Sequence, residues 1–234
     1  MVTDILIIGG GVVGCAIARE LSRFSASIDL LERSYDVAEG ASKANSGIVH
    51  AGYDAVPGSL KARFNVEGAR MYPALCESLG VPFCQCGAIV VGFSDEDRTV
   101  LEELLARGKA NGVPDMRIIS GEEALSLEPS LNPEVSCALL VPTSGIVSPY
   151  ELTFALADDA AANGVRFHFG QDVRQIDRRE DGLYAVVTSQ GEWLCKILIN
   201  CAGSSSALLH NQLNPGDSRH IIHRRGQYYL LDRP

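Results

Sequence analysis

The first clear pattern along the chain is a short uninterrupted apolar run at residues 5–8, Ile-Leu-Ile-Ile, which is followed at once by glycines. Such a run, bounded by glycine, is typical of a strand that is buried on both faces of a parallel sheet. Over 12–24 apolar residues recur every four positions with charged residues between them, and this spacing predicts an amphipathic helix. A second apolar run at 28–31 predicts another strand, which ends at an acidic residue, Glu32. The beginning of the chain therefore predicts a strand, a helix and a second strand of a parallel α/β fold.

The turn between the first strand and the helix carries the spacing Gly-x-Gly-x-x-Gly, at Gly9, Gly11 and Gly14. The first glycine permits a tight turn, the second brings bare backbone close to a pyrophosphate, and the third lets the helix pack closely against the strand. The helix start presents amides and a positive dipole end to phosphates, and Glu32 can accept hydrogen bonds from both hydroxyls of an adenosine ribose. Together these features predict a dinucleotide site, although the same glycines in isolation also occur in ordinary turns. Arg33 either lies over the adenine or is solvated, and the acid beside it argues against a 2′-phosphate.

Residues 34–59 are rich in Gly, Ser, Ala and Pro and show no sustained periodicity. A loop of this length inside a compact domain is usually functional, and a nicotinamide-binding domain would instead continue promptly into a helix and a strand. The small side chains let backbone amides reach a ligand, and the hydroxyl and amide groups can bind phosphate or ribitol oxygens. We therefore expect cofactor contacts from Ser42, Asn45, Ser46 and Gly47. The apolar spacing then predicts a long helix over 60–79.

The rest of the chain alternates between helical and strand patterns. Between 80 and 143 the patterns predict strands at 87–93 and 135–141, a charged helix at 95–109 and a short helix at 121–127. Ser148 and Pro149 predict the start of a helix that continues to 162. The last strands are predicted at 165–169, 173–176, 183–187 and 193–199. The final one is expected to be buried on both faces, and it leads to Ala202 and Gly203.

Composition and charge exclude several classes of protein. Hydrophobic residues make up 46% and charged residues 21% of the 234 residues, which is typical of a globular rather than a disordered chain. The formal net charge of −9 repels a phosphate backbone, so we expect no nucleic-acid partner. The nearly uncharged stretch 5–18 is too short to span a bilayer and carries no secretion signal, so we expect a cytoplasmic protein, with docking at a membrane surface left open. Seven cysteines without a CxxC pair favour buried thiols over disulfides or zinc, and we expect no metal.

Four segments resemble the flavoprotein oxidoreductases grouped with D-amino-acid oxidase, and within them the branch of glycerol-3-phosphate dehydrogenase and L-2-hydroxyglutarate oxidase. These segments are the glycine motif with Glu32, the Ala-Ser-x-x-Asn-Ser-Gly-x-x-His-Ala-Gly stretch at 41–52, the Gly-Ser-Leu-Lys-Ala-Arg stretch at 58–63 and the Ile-Leu-Ile-Asn-Cys-Ala-Gly stretch at 197–203. The resemblance implies FAD as the cofactor. It also implies that the backbone at Val173 contacts adenine and that the Ala202-Gly203 turn lies close to the FAD.

The same resemblance implies an α/β fold in which a Rossmann-like FAD-binding domain of three layers carries an inserted α+β substrate lobe. We expect residues 1–79 and 144–220 to form the FAD-binding domain, and residues 80–143 and 221–234 to form the lobe that shapes the substrate pocket in this family. Relatives of this family continue well beyond 234 residues. We therefore expect a strand over 221–231 to belong to an incomplete lobe, which could leave the fragment inactive on its own.

The activity that the resemblance implies is an FAD-dependent dehydrogenase that transfers a hydride to FAD from the hydroxyl-bearing carbon of glycerol 3-phosphate or a 2-hydroxy acid. A quinone, a protein or oxygen would then accept the electrons. An amine or amino-acid oxidase and a non-catalytic FAD-binding or electron-relay subunit are the alternatives. His50 is the candidate base for the hydroxyl proton, with covalent attachment to the flavin and a structural role as alternatives. Lys61, Arg224 and Arg225 are candidates for binding an anionic small-molecule substrate.

Overall fold

The computed structural model describes residues 2–224 and 226–227. Contacts divide the chain into two compact units, of which the first takes its described residues from 1–45 and 149–234 and the second is Ser46–Ser148. In chain order the helices and strands are β1 (Val2–Ile8), α1 (Val12–Leu21), β2 (Ile28–Leu31), β3 (Ile48–Val49), α2 (Leu60–Leu79), β4 (Phe83–Cys84), β5 (Ala88–Gly92), α3 (Asp95–Ala110), β6 (Arg117–Ser120), α4 (Gly121–Leu127), β7 (Cys137–Val141), β8 (Gly145–Val147), α5 (Pro149–Ala162), β9 (Arg166–His168), β10 (Val173–Arg178), β11 (Tyr184–Thr188), β12 (Gly191–Asn200) and α6 (Ser206–Leu213). A single 3₁₀ turn, Gly203–Ser205, precedes α6.

The first unit is built on a six-stranded sheet with the order β10-β11-β12-β1-β2-β9. β1 pairs in parallel with both β2 and β12, so that Ile5 lies opposite Ile28 on one side and Ile197 on the other. β9 extends the parallel part beyond β2, whereas β10, β11 and β12 form an antiparallel meander. The continuous apolar runs of β1 and β2 suit this central place, because each face of a covered strand needs its own apolar contacts.

Helices cover both faces of this sheet. On one face residues of α1 and α5 join those of β1 and β2 in an apolar cluster that includes Ile7, Ala18, Leu30 and Ala160. On the other face α6 contributes Leu209 to a second cluster, with residues of β1, β2 and the antiparallel strands. The predicted three-layer α/β arrangement is thereby confirmed.

The second unit contains two three-stranded antiparallel sheets, β3-β8-β4 and β5-β7-β6. An apolar cluster joins Val66 of α2 to Leu101 of α3 and to Leu139 of β7. Because α2 packs in this cluster, the contacts place residues 46–79 in the second unit, whereas the sequence-based division assigned them to the FAD-binding domain. The assignment of one part of the chain to cofactor and another to substrate stays a prediction.

Helix boundaries agree best with the prediction where the sequence supplies capping residues. α2 and α4 span the predicted ranges 60–79 and 121–127. At the start of α2 the Ser59 hydroxyl accepts a hydrogen bond from Ala62 N at 3.1 Å, and Gly80 ends the helix with a φ of 66°. α1 lacks such a glycine and ends at Leu21, before the predicted end at 24.

The periodicity of the sequence fails for short strands and for the last helix. It does not predict β3, β4, β6, β8 or α6, whose runs are too short to show a period. The expectation that β12 is buried on both faces is wrong, because Ile197 is 53% exposed. α1 and α5 pack on β1 and β2 and leave this residue of β12 uncovered. Of the strand expected over 221–231, residues 221–224 and 226–227 form no strand, and the others lie outside the described residues. Within the described part of the chain, no helix is both long and apolar enough to cross a bilayer.

A buried carboxylate ties β9 to β2. Asp29, whose side chain is 3% exposed, accepts hydrogen bonds from Arg166 at 2.8 and 2.7 Å and lies 2.7 Å from Nε2 of His168. Burial by itself raises the pKa of the Asp29 carboxyl, but hydrogen bonds from Arg166, Thr3 and His168 outweigh burial and lower the pKa below its ordinary value. The charged carboxylate therefore holds β9 beside the strand that ends at Glu32.

Replacing Arg166 with methionine is expected to lower the free energy of unfolding by about 2–3 kcal/mol, because two charge-assisted hydrogen bonds to a buried carboxylate are lost. Since the folded-state pKa of Asp29 is lowered, its contribution to stability is complete above the unfolded-state value near 4 and is lost as the pH falls below it. The variant should therefore lose less stability than the wild type on acidification. Urea unfolding at about pH 7 and about pH 3 measures both effects.

The matched control is Arg179→Met. Arg179 lies 3.2 Å from Asp181, and the two side chains are 49% and 47% exposed. Removing an exposed pair of this kind should cost less than about 1 kcal/mol. Equal losses in the two variants would show that Arg166 is an ordinary surface charge.

Candidate functional site

Three neighbouring strands of the first unit end at the same edge of the sheet. Ile8, at the end of β1, lies opposite Leu31 in β2 and Asn200 in β12. Gly9 N donates to Leu31 O and Cys201 N donates to Ile8 O, both at 2.8 Å, so the hydrogen bonding continues past the paired residues. Ligands of open parallel α/β sheets bind at this carboxyl edge, and the glycine motif begins here.

Two of the three motif glycines have no room for a side chain. A Cβ at Gly9 would lie 2.3 Å from the carbonyl oxygen of Cys201, and the φ of +107° at Gly9 itself favours glycine. A Cβ at Gly14 would lie 1.9 Å from the carbonyl oxygen of Gly9, whereas a Cβ at Gly11 would meet only the Ser42 hydroxyl, at 3.1 Å. Gly9 and Gly14 therefore let α1 begin directly against the strand ends, and Gly11 keeps the helix start accessible.

The first turn of α1 presents its amides at this edge. Its N-cap residue is Gly11, which has no side chain to cap the helix, and the first turn contains no acidic residue. The cap comes from a distant loop instead, because the Ser42 hydroxyl accepts a hydrogen bond from Val12 N at 2.9 Å. The amides and the dipole of such a helix start favour an anion.

Glu32 lies at the end of β2 with its carboxylate turned toward the glycine turn. Oε2 accepts a hydrogen bond from Gly10 N at 2.7 Å, and Oε1 accepts one from Ser34 N at 2.8 Å. The Glu32 backbone is fixed as well, since its N donates to His168 O and its O accepts from Gln171 N, both at 2.9 Å. Each carboxylate oxygen has two lone pairs, so the side chain can accept further hydrogen bonds from a ligand.

A cavity of about 550 Å³ opens beside these groups. Gly14 packs against Gly9 and does not line it, and Ser46 and Gly47 belong to the second unit. Most of the predicted cofactor residues nevertheless surround this one volume. The predicted residues that line it are Gly9, Gly11, Glu32, Arg33, Ser42, Asn45, Val173, Ala202 and Gly203.

One wall of the cavity was not identified from the sequence. It is formed by the 3₁₀ turn and by α6, through Ser204, Ser205, Leu208, Leu209 and Gln212. The helical spacing of Leu208, Leu209 and Gln212 is the available signal, but α6 has only 8 residues and no Asp, Glu, Lys or Arg to mark a solvent face. A pattern of that length does not separate a helix from a loop.

The predicted catalytic and substrate residues do not line this cavity. His50 follows β3 in the second unit and is exposed. Lys61, near the start of α2, is exposed and lies 3.6 Å from the carboxylate of Asp54. Arg224 is exposed, and Arg225 lies outside the described residues. The roles of these four residues stay predictions.

Two thiols close to the glycine motif stay protonated. Burial, together with the nearby carboxylate of Glu32, raises the pKa of Cys15 to about 12. Burial also raises the pKa of Cys201. Neither thiol therefore adds negative charge beside a site that suits an anion.

All seven cysteines are free thiols, but Cys84 and Cys86 are exposed, so the expectation of buried thiols is wrong for this pair. β4 places Cys84 on the surface, and Cys86 lies in the loop that follows. In the described ranges no group of three or more His, Cys, Asp or Glu residues is arranged to hold a metal ion.

Sequence comparison finds a family and several relatives. The family model described as DAO, FAD dependent oxidoreductase, matches residues 4–234. The chain is 41% identical over 230 residues to a glycerol 3-phosphate dehydrogenase of Caloramator mitchellensis, a match that covers 98% of this chain and 48% of the relative. It is 35% identical to a glycerol 3-phosphate oxidase of Mycoplasma pneumoniae, over 97% of this chain and 61% of the relative. It is 33% identical to the mitochondrial L-2-hydroxyglutarate dehydrogenase of Homo sapiens, over 97% of this chain and 52% of the relative.

Solved structures of similar fold include an L-alpha-glycerophosphate oxidase from Mycoplasma pneumoniae, reduced by dithionite and with FAD bound. It matches with a TM-score of 0.87 and 34% identity over 92% of this chain and 57% of that chain. A glycine oxidase from Geobacillus kaustophilus matches with a TM-score of 0.82 and 26% identity, over 90% of this chain and 58% of that chain. The chain thus spans about half the length of the curated relatives it matches.

Proposed function

The chain belongs to the DAO family of FAD-dependent oxidoreductases, and from that premise we propose that the cavity of the first unit holds the adenosine and pyrophosphate part of FAD. One observation carries the proposal: the glycine turn, the start of α1 and the Glu32 carboxylate meet at one cavity of about 550 Å³. The glycine turn follows β1 and Glu32 follows β2, so their convergence depends on the pairing of these two strands and not on the turn alone.

The residues at the helix start fit a pyrophosphate. Bare backbone at Gly9 and Gly11 leaves space at the end of α1, where the amides and the dipole favour an anion. Ser42 and Asn45 line the same volume and supply a hydroxyl and an amide. Glu32 has acceptor capacity left for the ribose hydroxyls.

The other cofactor residues are assigned along the same volume. Arg33 and Val173 are assigned to the adenine. Ala202 and Gly203, in the turn that follows β12, are assigned to a place close to the FAD. Ser46 and Gly47 are also assigned to FAD, and their assignment is supported by the sequence resemblance alone.

For the reaction, we infer oxidation of the hydroxyl-bearing carbon of glycerol 3-phosphate or a 2-hydroxy acid. The support is the identity of 41%, 35% and 33% to relatives named for glycerol 3-phosphate and L-2-hydroxyglutarate. FAD, when bound, supplies the group that accepts the hydride. The substrate hydroxyl must lose its proton as well, and His50 is assigned as the base that receives it. A quinone, a protein or oxygen is proposed as the final electron acceptor.

Cationic residues are assigned to the phosphate or carboxylate of the substrate. Lys61, Arg224 and Arg225 carry charges of the right sign, and guanidinium groups can bind such anions through two hydrogen bonds. Lys61 is 73% exposed and its partner Asp54 is 47% exposed, so this weak pair leaves the ammonium accessible.

A second candidate function is oxidation of an amine. The match to glycine oxidase at 26% identity and a TM-score of 0.82 favours it, because the same fold serves an amino substrate there. Fold likeness alone does not decide between the two, since different chemistries share this fold.

The visible absorption spectrum of the purified protein with FAD separates these functions. Bleaching of the flavin band by glycerol 3-phosphate or L-2-hydroxyglutarate is the expected result. Bleaching by glycine or other amines alone would overturn the alcohol assignment. Full FAD occupancy without bleaching by any of these compounds would count against both reactions for this chain and favour a non-catalytic FAD-binding subunit.

Replacing Glu32 with glutamine is expected to weaken FAD binding about tenfold or more. The amide keeps one acceptor oxygen, so either Gly10 N or Ser34 N loses its partner, and the charge-assisted bonds to the ribose are lost too. Fluorescence titration with FAD measures the change in Kd. Glu192→Gln, on the exposed start of β12, is the control and should bind like the wild type.

A further inference from the structure

The edge strand of the first unit is irregular where it meets the cavity. β10 stands at the end of the strand order and, among the described residues, pairs only with β11. The register between the two strands shifts between Val173 and Gln175, so Arg174 has no residue opposite it. A bulge of this kind disrupts the ladder and bends the strand. Val173 and Arg174, at the bulge, both line the cavity.

A side chain from α6 completes the hydrogen bonding of this edge. Oε1 of Gln212 accepts a hydrogen bond from Ile176 N at 2.8 Å, and Nε2 of Gln212 donates one to Arg174 O at 3.2 Å. A donor and an acceptor that bind residues two apart reproduce what the backbone N–H and C=O of one residue in a neighbouring parallel strand would do. Leu209, on the same helix, is buried in one apolar cluster with Ile176.

We propose that Gln212 is a positioning residue of the cofactor cavity, which fixes α6 and the bulge at Val173 and Arg174 relative to each other. Leu208, Leu209 and Gln212 from the helix and Val173 and Arg174 from the strand line the volume assigned to adenosine. The inference rests on the proposed function, because it concerns the site where FAD is proposed to bind. Without the two hydrogen bonds of Gln212, ligand binding must order the α6 wall and the β10 wall of the cavity separately, and that ordering weakens affinity.

The experiment compares two variants of Gln212 with a matched neighbour, and uses FAD and ADP as probes. Gln212→Met has similar length and removes both hydrogen bonds, so Kd should rise about five- to tenfold for FAD and for ADP alike. Gln212→Glu keeps an acceptor for Ile176 N but places a carboxylate against Arg174 O and adds negative charge to the cavity wall, so Kd should rise at least as much as in Gln212→Met.

Asn211 supplies the control. Its amide makes the same kind of two-point contact, with Arg219 N at 2.7 Å and Arg219 O at 3.0 Å, and it does not line the cavity. Asn211→Leu should therefore leave both Kd values unchanged, whatever it does to the melting temperature of the FAD-free protein. If Gln212→Met does not fold, Gln212→Glu still carries the test.

The outcomes separate the two proposals. If the wild type binds FAD and ADP and both Gln212 variants bind them equally well, the positioning role is overturned and the proposed function stands. The positioning role is also overturned if Asn211→Leu weakens ADP as much as Gln212→Met does. A wild-type protein that binds neither FAD nor ADP would remove the proposed function, and this inference with it.

Discussion

Alanine in place of Gly14 is expected to weaken FAD binding by about a hundredfold or more. The new Cβ would lie 1.9 Å from the carbonyl oxygen of Gly9, which is backbone and has no free rotation to avoid it. Helix propensity alone would favour alanine by about 1 kcal/mol, but the contact forces α1 away from the strand end. Overpacking of this kind costs about 1–3 kcal/mol or more, and about 2.7 kcal/mol already corresponds to a hundredfold in Kd.

The measurement is the Kd for FAD by fluorescence titration, with the melting temperature of the FAD-free protein alongside it. Gly68→Ala is the matched control, because Gly68 lies inside α2 and a Cβ there meets no atom within 4 Å. It should bind FAD like the wild type and be more stable by up to about 1 kcal/mol. Wild-type affinity in Gly14→Ala would mean that α1 does not form the pyrophosphate end of the site.

Substitution of His50 by glutamine is expected to slow flavin reduction by glycerol 3-phosphate about 10²- to 10⁴-fold, the usual contribution of a positioned general base. FAD affinity should change little, because His50 is exposed and does not line the cavity assigned to adenosine. Stopped-flow measurement of the bleaching rate at saturating substrate reports the step directly. His220→Gln, an exposed histidine of the first unit, is the control.

Two results would redirect the assignment of His50. An unchanged bleaching rate would contradict the role as a base and leave a structural role. Flavin that stays with the wild-type polypeptide after denaturation, but not with His50→Gln, would identify His50 as the point of covalent attachment. Neither result would affect the assignment of the cavity, which depends on residues of the first unit.

Long periodic segments with capping residues could be predicted from the sequence, and short ones could not. α2 shows twenty residues of helical spacing between Ser59 and Gly80, and its bounds are those predicted. β3, β4 and β8 have two or three residues each and depend on partners distant in the chain, which no local pattern reveals. The burial of β12 was misjudged for the same reason, since the cover over Ile197 depends on where α1 and α5 pack.

The residues of the candidate site also fall into those that the sequence predicts and those that it does not. Gly9, Gly14 and Glu32 were predictable, because the strand, turn and helix that place them are contiguous in sequence. Gln212 and Arg174 were not, because their place at the cavity follows from a bulge and from a helix that packs across the sheet. Ser42 is predicted to be a ligand residue, and its hydrogen bond with Val12 N gives it a role that the sequence did not predict, as the cap of α1.

The pairing of Ile8 with both Leu31 and Asn200 has a consequence for folding of the chain during translation. The second unit, Ser46–Ser148, is continuous, so all of its contacts are available while the chain is still being translated. The glycine turn must wait for β12 and the turn at Ala202 and Gly203, which emerge much later, and closing so long a loop is slow. We therefore expect the nascent chain to form the contacts of the second unit first, and the cofactor cavity to close only after β12 has emerged.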